Sequence, residues 1–454
     1  MSDIFTAISF LLTVSKIIGL GSFYVDKKKK KLHTSVVGLL YSCLMLFCFT
    51  GNAGFLTYTK LLYKDKRIDS YVGLASDVIL LTCGIVVTFT CILFSMIQRK
   101  KTMKVIEEFY KIHWEMKKLK QDVNYLKLKK KILCHVLLLL FILLLIFFLM
   151  IFYVENLKSF LYFSYMYAWF VPNIYNFLTG YQFVSGAELL KIHFKALNKS
   201  LEKFDDDDKD KEDDEFANNN NNKRPEMNFY FDSFPSPSLG KNFTNVNYLA
   251  WEFRTANKFH LIKNKKLWKH QRKIWPGEKE FHDVVNDLNK IKRIRKIHGN
   301  LCGIKEHLNS SFSLQVLSSV AQSFIFITVN LYLIFTTLSS EDSSVSLFKI
   351  SYPVLWFVIH SLELIIIVLT CTNTSKAGNY TAVLVHKLLA KECKLELKNQ
   401  LKLFSIQLLH RKICFTAAGF FNLDMALLQG VIGAATTYLV ILIQFHNTYE
   451  VRKN

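Results

Sequence analysis

Apolar residues in this chain are gathered into long blocks, and the charged residues lie between them. A helix needs roughly 20 apolar residues to cross a bilayer. Seven blocks meet that length: 34–59, 72–97, 132–154, 160–189, 316–338, 350–374 and 427–445. Val136 to Phe152 contains no polar residue at all. The block at 160–189 is rich in aromatics, and the block at 72–97 carries Asp77; both are less apolar yet long enough. The pattern predicts an all-α, polytopic membrane protein with seven transmembrane helices. The start of the chain differs. Ile4 to Leu20 is apolar but interrupted by Lys16, and the Lys27–Lys31 run follows it. A secretory signal has the opposite order, charge before the apolar core. The segment reads as an interfacial helix or a short buried one on the cytoplasmic side. An eighth span there would move only the N-terminus.

Charge then sets the orientation. All 58 Lys and Arg lie outside the seven blocks. Leaving aside the long fourth loop (190–315), 26 fall on one side of the membrane and 8 on the other. Cytoplasmic segments carry the excess of Lys and Arg, so the N-terminus is expected inside and the C-terminus outside. That is the reverse of a G-protein-coupled receptor. There is also no Asp-Arg-Tyr ending the third block and no Asn-Pro-x-x-Tyr in the seventh. All nine Cys fall in blocks or on the cytoplasmic side, where thiols stay reduced. The sequons at Asn198, Asn242, Asn309, Asn373 and Asn379 are on that side too and are expected to carry no glycan. A net charge of +22 on a soluble chain would point to nucleic acid. Here the basic residues flank membrane, and lipid headgroups are the better partner.

The blocks divide the chain into an N-terminal helix with its Lys run (1–33), spans one to four (34–189), a cytoplasmic loop (190–315), spans five and six (316–374), cytoplasmic anchor helices (375–426), and span seven with its tail (427–454). The loop carries an insert at about 204–244 with Asp205–Asp208, further acids to Glu215, and Asn218–Asn222. A calcium loop needs spaced oxygens and a turn glycine, which this run lacks. It reads as a solvated, disordered segment. Beyond it, Trp251, Trp268, Trp275, Phe281, Leu288 and Ile294 recur among Lys and Arg as in an amphipathic helix. Leu384, Leu388, Leu395, Leu401, Phe404 and Leu408 do the same in the anchor segment.

Ionisable and polar residues inside spans are costly, and each is a candidate for function. Tyr352, Trp356, His360 and Glu363 share one face of the sixth block. Asp77, Asn330 and Tyr332 lie in outer parts of their blocks, and the fourth block adds Tyr165, Tyr167 and Trp169. Rings that stack on a sugar face, with carboxylate and amide groups for its hydroxyls, suit a small polyhydroxy ligand. The same residues would also serve as core and interface aromatics, with Glu363 and His360 merely paired. In the last block Thr437, Ile441 and Gln444 follow i, i+4, i+7 spacing, with Phe445 next to them. A polar stripe can wall a water-filled path, or Gln444 can bond a neighbouring helix. The residues alone leave both open.

The stretch Thr437-Tyr438, five apolar residues, then Gln444-Phe445 resembles the C-terminal signature of the insect gustatory receptor family. Leu403 to His410, the Gly419-Phe420-Phe421-Asn422-Leu423-Asp424 element and Gly433-Ala434-Ala435-Thr436 are similar to the same family, the last to the branch of fructose-type receptors. The resemblance is specific over roughly the last fifth of the chain. It implies a homo- or heterotetrameric ligand-gated cation channel in the plasma membrane of sensory neurons. The seventh helices of four subunits would surround one pore lined by Thr437, Ile441, Gln444 and Phe445. It implies a small tastant such as a sugar, and neither a cofactor, a metal nor catalysis. Two other classes would leave different marks. A secondary transporter would show inverted repeats and broken midplane helices, and no half-to-half similarity is seen. A membrane enzyme would show a motif such as His-Glu-x-x-His, which is absent from the sequence.

Overall fold

The structure is a computed structural model that describes residues 4–26, 31–62, 71–121, 123–153, 159–221, 276–339, 347–391 and 394–453. It forms two compact units, Met1–Phe204 with Lys290–Asn454, and Asp205–Asn289.

In the first unit, α1 (Ile4–Ile17) precedes a hairpin of β1 (Phe23–Asp26) and β2 (Lys31–Thr34). α1 has 14 residues, about 21 Å at 1.5 Å per residue, too short to cross a bilayer. It is instead a buried helix: Ile4, Ala7, Ile8 and Leu11 face the core, and it packs on the third and fourth helices. Gly19 ends it with φ of +82°, the left-handed conformation that glycine adopts without strain. Its last carbonyls are then taken by other elements: Tyr41 Oη donates to Ile17 O (2.8 Å) and Tyr175 Oη to Ile18 O (2.7 Å). The polar end of this short helix is thereby satisfied by tyrosines from two later helices.

The spans follow as α2 (Val36–Leu62), α3 (Tyr71–Lys118), α4 (Tyr125–Tyr153), α5 (Ser159–Asn221), α6 (Pro276–Ser339), α7 (Leu347–Leu389) and α9 (Met425–Lys453). Apart from a residue or two at the block ends, the seven apolar blocks lie on these helices. Six of them are long and apolar enough to cross a membrane by length and composition. The block at 160–189 falls outside those six because Asn173, Asn176, Thr179 and Gln182 interrupt it; the first three are buried, and Gln182 bonds Ser15. α3, α6 and α7 run 48, 64 and 43 residues. At 1.5 Å per residue they outreach a ~30 Å hydrocarbon layer, so each continues well beyond it.

The extensions build the anchor. α8 (Leu395–His410) packs along the end of α7. Phe194, Leu197, Leu201, Ile291, Ile294, Leu301, Phe404 and Phe415 form its apolar centre. A two-residue ladder, β3 (Thr416–Ala417) with β4 (Phe421–Asn422), interrupts the otherwise helical fold. Its turn places Ala418 at φ +51° and Gly419 at +81°, a reversal for which glycine suits the second position. Three sequon asparagines are spent here. Asn379 bonds both the N–H and C=O of Ile413 (2.9 and 3.0 Å). Asn309 holds Thr416, and Asn198 joins Ala377 to Thr381.

In the second unit, the described residues are the last turns of α5 and the first of α6. The sequence reads as disordered from about residue 204; α5 is helical through Asn221. The rest of the insert, Asn242, Trp251, Trp268 and Trp275 lie outside the described residues.

Candidate functional site

At the centre of the sixth block stands Glu363, buried together with His360. An ion in hydrocarbon is costly unless donors surround it. Here three helices supply them. Asn176 Nδ2 on α5 reaches both carboxylate oxygens (2.9 and 3.0 Å). From α6, Ser319 Oγ donates to Oε1 (3.1 Å) and Ser323 Oγ to Oε2 (3.2 Å). His360 Nδ1, one turn earlier on α7, lies 3.3 Å from Oε2. Nearby Gln322 Nε2 donates to Asn173 Oδ1 (3.2 Å), a second polar tie between α6 and α5.

Above the carboxylate the walls are rings. Trp356 stacks on His360 with centroids 5.7 Å apart and planes inclined by 21°. Phe326 and Phe177 flank the same imidazole at 4.3 and 5.4 Å. Tyr352 meets Trp356 edge-on (6.3 Å), and Trp169 meets Phe326 edge-on (6.4 Å). Trp169, Phe170, Phe326 and Trp356 belong to one buried cluster, distinct from the larger core around the anchor. Four polar atoms at this junction of rings and carboxylate are buried with no hydrogen-bond partner among the described residues: Trp356 Nε1, His360 Nε2, Asn176 Oδ1 and Gln322 Oε1. Such groups are rare in folded proteins and mark places that water or a ligand completes.

The structure thus brings together Trp169, Tyr352, Trp356, His360 and Glu363. It separates the other candidates. Asn330 bonds the Phe326 carbonyl on its own helix (2.7 Å). Tyr332 Oη faces His446 Nδ1 on α9 (3.4 Å). Tyr167 leans on Phe49 of α2. Asp77 is on α3, but its side chain and that of Tyr165 lie outside the described set. Sequence reasoning missed Asn173, Asn176, Ser319, Gln322 and Ser323. Their spacing, i, i+3 on α5 and i, i+3, i+4 on α6, was the signal: one polar face on otherwise apolar helices.

α9 presents the other candidate surface. Only 6% of its most apolar window is buried within the chain. Thr437, Ile441, Gln444 and Phe445 are all exposed on it. α9 leans on α7 and touches α6 where Phe324 meets Tyr438 edge-on (6.0 Å) and where Tyr332 meets His446.

The sequence profile described as 7tm Chemosensory receptor matches residues 8–227 and 251–449, nearly the whole chain. The chain belongs to the insect gustatory receptor family. Putative gustatory receptor 28a of Drosophila melanogaster is 35% identical over 170 residues, 37% of this chain and 38% of that receptor. Gustatory receptor for bitter taste 66a is 32% identical over 37% of this chain and 33% of its own length. Gustatory receptor for sugar taste 43a is 28% identical over 35% and 36%. The matched segment therefore spans about two fifths of such relatives or less. Among solved structures, the insect olfactory receptor OR5 from Machilis hrabei in complex with eugenol superposes with a TM-score of 0.60. It covers 96% of this gustatory receptor and 97% of OR5 at 12% identity, a likeness of fold. This gustatory receptor is accordingly a multi-pass membrane protein of a chemosensory family.

Proposed function

We propose that this receptor is a tastant-gated, non-selective cation channel of the plasma membrane that responds to a small polar molecule such as a sugar. One observation carries the reading: unpartnered donor and acceptor atoms, Trp356 Nε1, His360 Nε2, Asn176 Oδ1 and Gln322 Oε1, are gathered beside stacked rings. A sugar hydroxyl both donates and accepts, so it satisfies such a mixed set. Its apolar face lies against an indole. The helices of this site also touch α9 through Phe324–Tyr438 and Tyr332–His446, a physical route from ligand to pore wall. The bare face of α9, with Thr437 and Gln444 on it, suits four copies closing around a wet axis.

The test is current recording in a cell that lacks other receptors, with sugars applied at graded concentration. Trp356→Ala is expected to raise the half-maximal concentration about tenfold or more at normal surface expression, the loss of one stacked ring. Solute uptake without current would identify a transporter instead. An unchanged dose-response curve in Trp356→Ala would remove α7 from the ligand site.

A further inference from the structure

A cavity apart from the Glu363 site lies between α1, α3, α5 and α6, on the Lys- and Arg-rich side of the apolar blocks. About 890 Å³ of space lies among its lining atoms, part of it open to solvent. Ile8, Leu11, Ile106, Phe109, Leu189 and Phe312 give it apolar walls. Most polar groups along it are satisfied internally. Ser15 Oγ donates to Leu11 O (2.6 Å) and accepts from Gln182 Nε2 (2.7 Å), and Ser311 Oγ donates to His307 O (2.8 Å). Two are not. Arg99 lines the cavity, and no carboxylate among the described residues pairs with it. Gln315 donates Nε2 to Cys91 O (3.2 Å), which leaves its Oε1 buried and without a partner.

An unpaired guanidinium beside an apolar chamber is the complement of a carboxylate with an alkyl tail. The fork geometry of Arg binds a carboxylate through two parallel hydrogen bonds. The tail gains from leaving water. Gln315 Oε1 then accepts from a water that the carboxylate brings with it. We propose that this cavity binds a free fatty-acid anion, with its carboxylate on Arg99 and its tail among α1, α3 and α6. Its lining comes from four helices, α1, α3, α5 and α6. The site is independent of the ligand reading at Glu363.

The experiment uses the full chain in phosphatidylcholine nanodiscs with a diazirine-bearing dodecanoate as photolabel. Labelled peptides are mapped by mass spectrometry. Label is expected on residues 4–12 and 308–315. Sodium dodecanoate should compete, and dodecan-1-ol at the same concentration should not. Arg99→Gln should cut labelling about tenfold, and Arg99→Lys should retain only part of it, since the charge is kept but the two-bond fork is lost. The competition arm needs only the wild-type protein, so it decides even where Arg99→Gln fails to fold. Equal competition by the alcohol would overturn carboxylate recognition. Label confined to other segments would overturn the site. Loss of label when phosphatidylserine replaces part of the lipid would assign the cavity to acidic phospholipid and overturn the free-acid source.

Discussion

Glu363→Ala offers the sharpest test of the polar centre. The substitution removes the acceptor for Asn176 Nδ2, Ser319 Oγ, Ser323 Oγ and His360 Nδ1. These groups do not suffer alike. A serine on a helix can turn its hydroxyl to the carbonyl one turn back, so the two serines recover most of their loss. The Asn176 amide and the His360 imidazole are held by packing and have no such alternative, since Trp356, Phe326 and Phe177 surround the histidine. Each buried donor left unmade costs about 1–3 kcal/mol. With the space left by the side chain added, the loss should be on the order of 3–5 kcal/mol. Glu363→Gln should cost less, because one acceptor oxygen remains.

A double-mutant cycle separates this network from simple cavity formation. Asn176→Ala, Glu363→Ala and the double variant are compared by reversible unfolding in mixed micelles. Once Glu363 is gone, Asn176 has already lost its partner, so its removal should cost little more. The double loss should fall short of the sum by about 1–3 kcal/mol. Additivity within about 0.5 kcal/mol would mean that the 2.9 and 3.0 Å contacts carry no mutual energy. The carboxylate would then be a passive member of the core.

Gln444→Ala should change unitary conductance or ion selectivity, and Phe445→Ala should raise ligand-independent current; single-channel recording with both wild-type-like would detach α9 from the pore. Asn379→Ala removes both bonds to the Ile413 backbone and should lower thermal stability by about 1–3 kcal/mol without altering ligand response. The anchor also has a pH limb. Burial pushes the His193 imidazole down to about 4, with the neighbouring His113 adding to the shift and the bond to Leu189 O opposing it. The unfolded chain therefore binds a proton first: the stability is full above about pH 6.5 and is lost as pH falls toward 4, by about 3 kcal/mol. His193→Gln should flatten that part of a stability-against-pH curve measured on the purified protein.

The membrane makes one layer of this fold legible and hides another. Backbone groups in hydrocarbon must be satisfied within a helix, so spans appear as long apolar runs, and all seven were readable. An acid in such a run costs so much that Glu363 stood out from the sequence alone. Its partners did not. Asn, Ser and Gln cost little on a helix, because each can bond its own backbone, as Asn330 does to Phe326 O. Only the third dimension distinguishes a self-satisfied Asn330 from an Asn176 turned to a carboxylate on another helix. Tyr332 shows the limit of spacing from the opposite side. Two residues after Asn330 it lies about 200° around the helix, so the pair could never face one pocket. It meets His446 on α9 instead. The β3–β4 turn was legible as a glycine motif but not as a strand pair, because two-residue strands carry no alternation to read. A buried acid, then, is the residue to start from in such a chain. Its donors are sought on the polar faces of the helices beside it, since a costly ion persists only where several cheap groups converge.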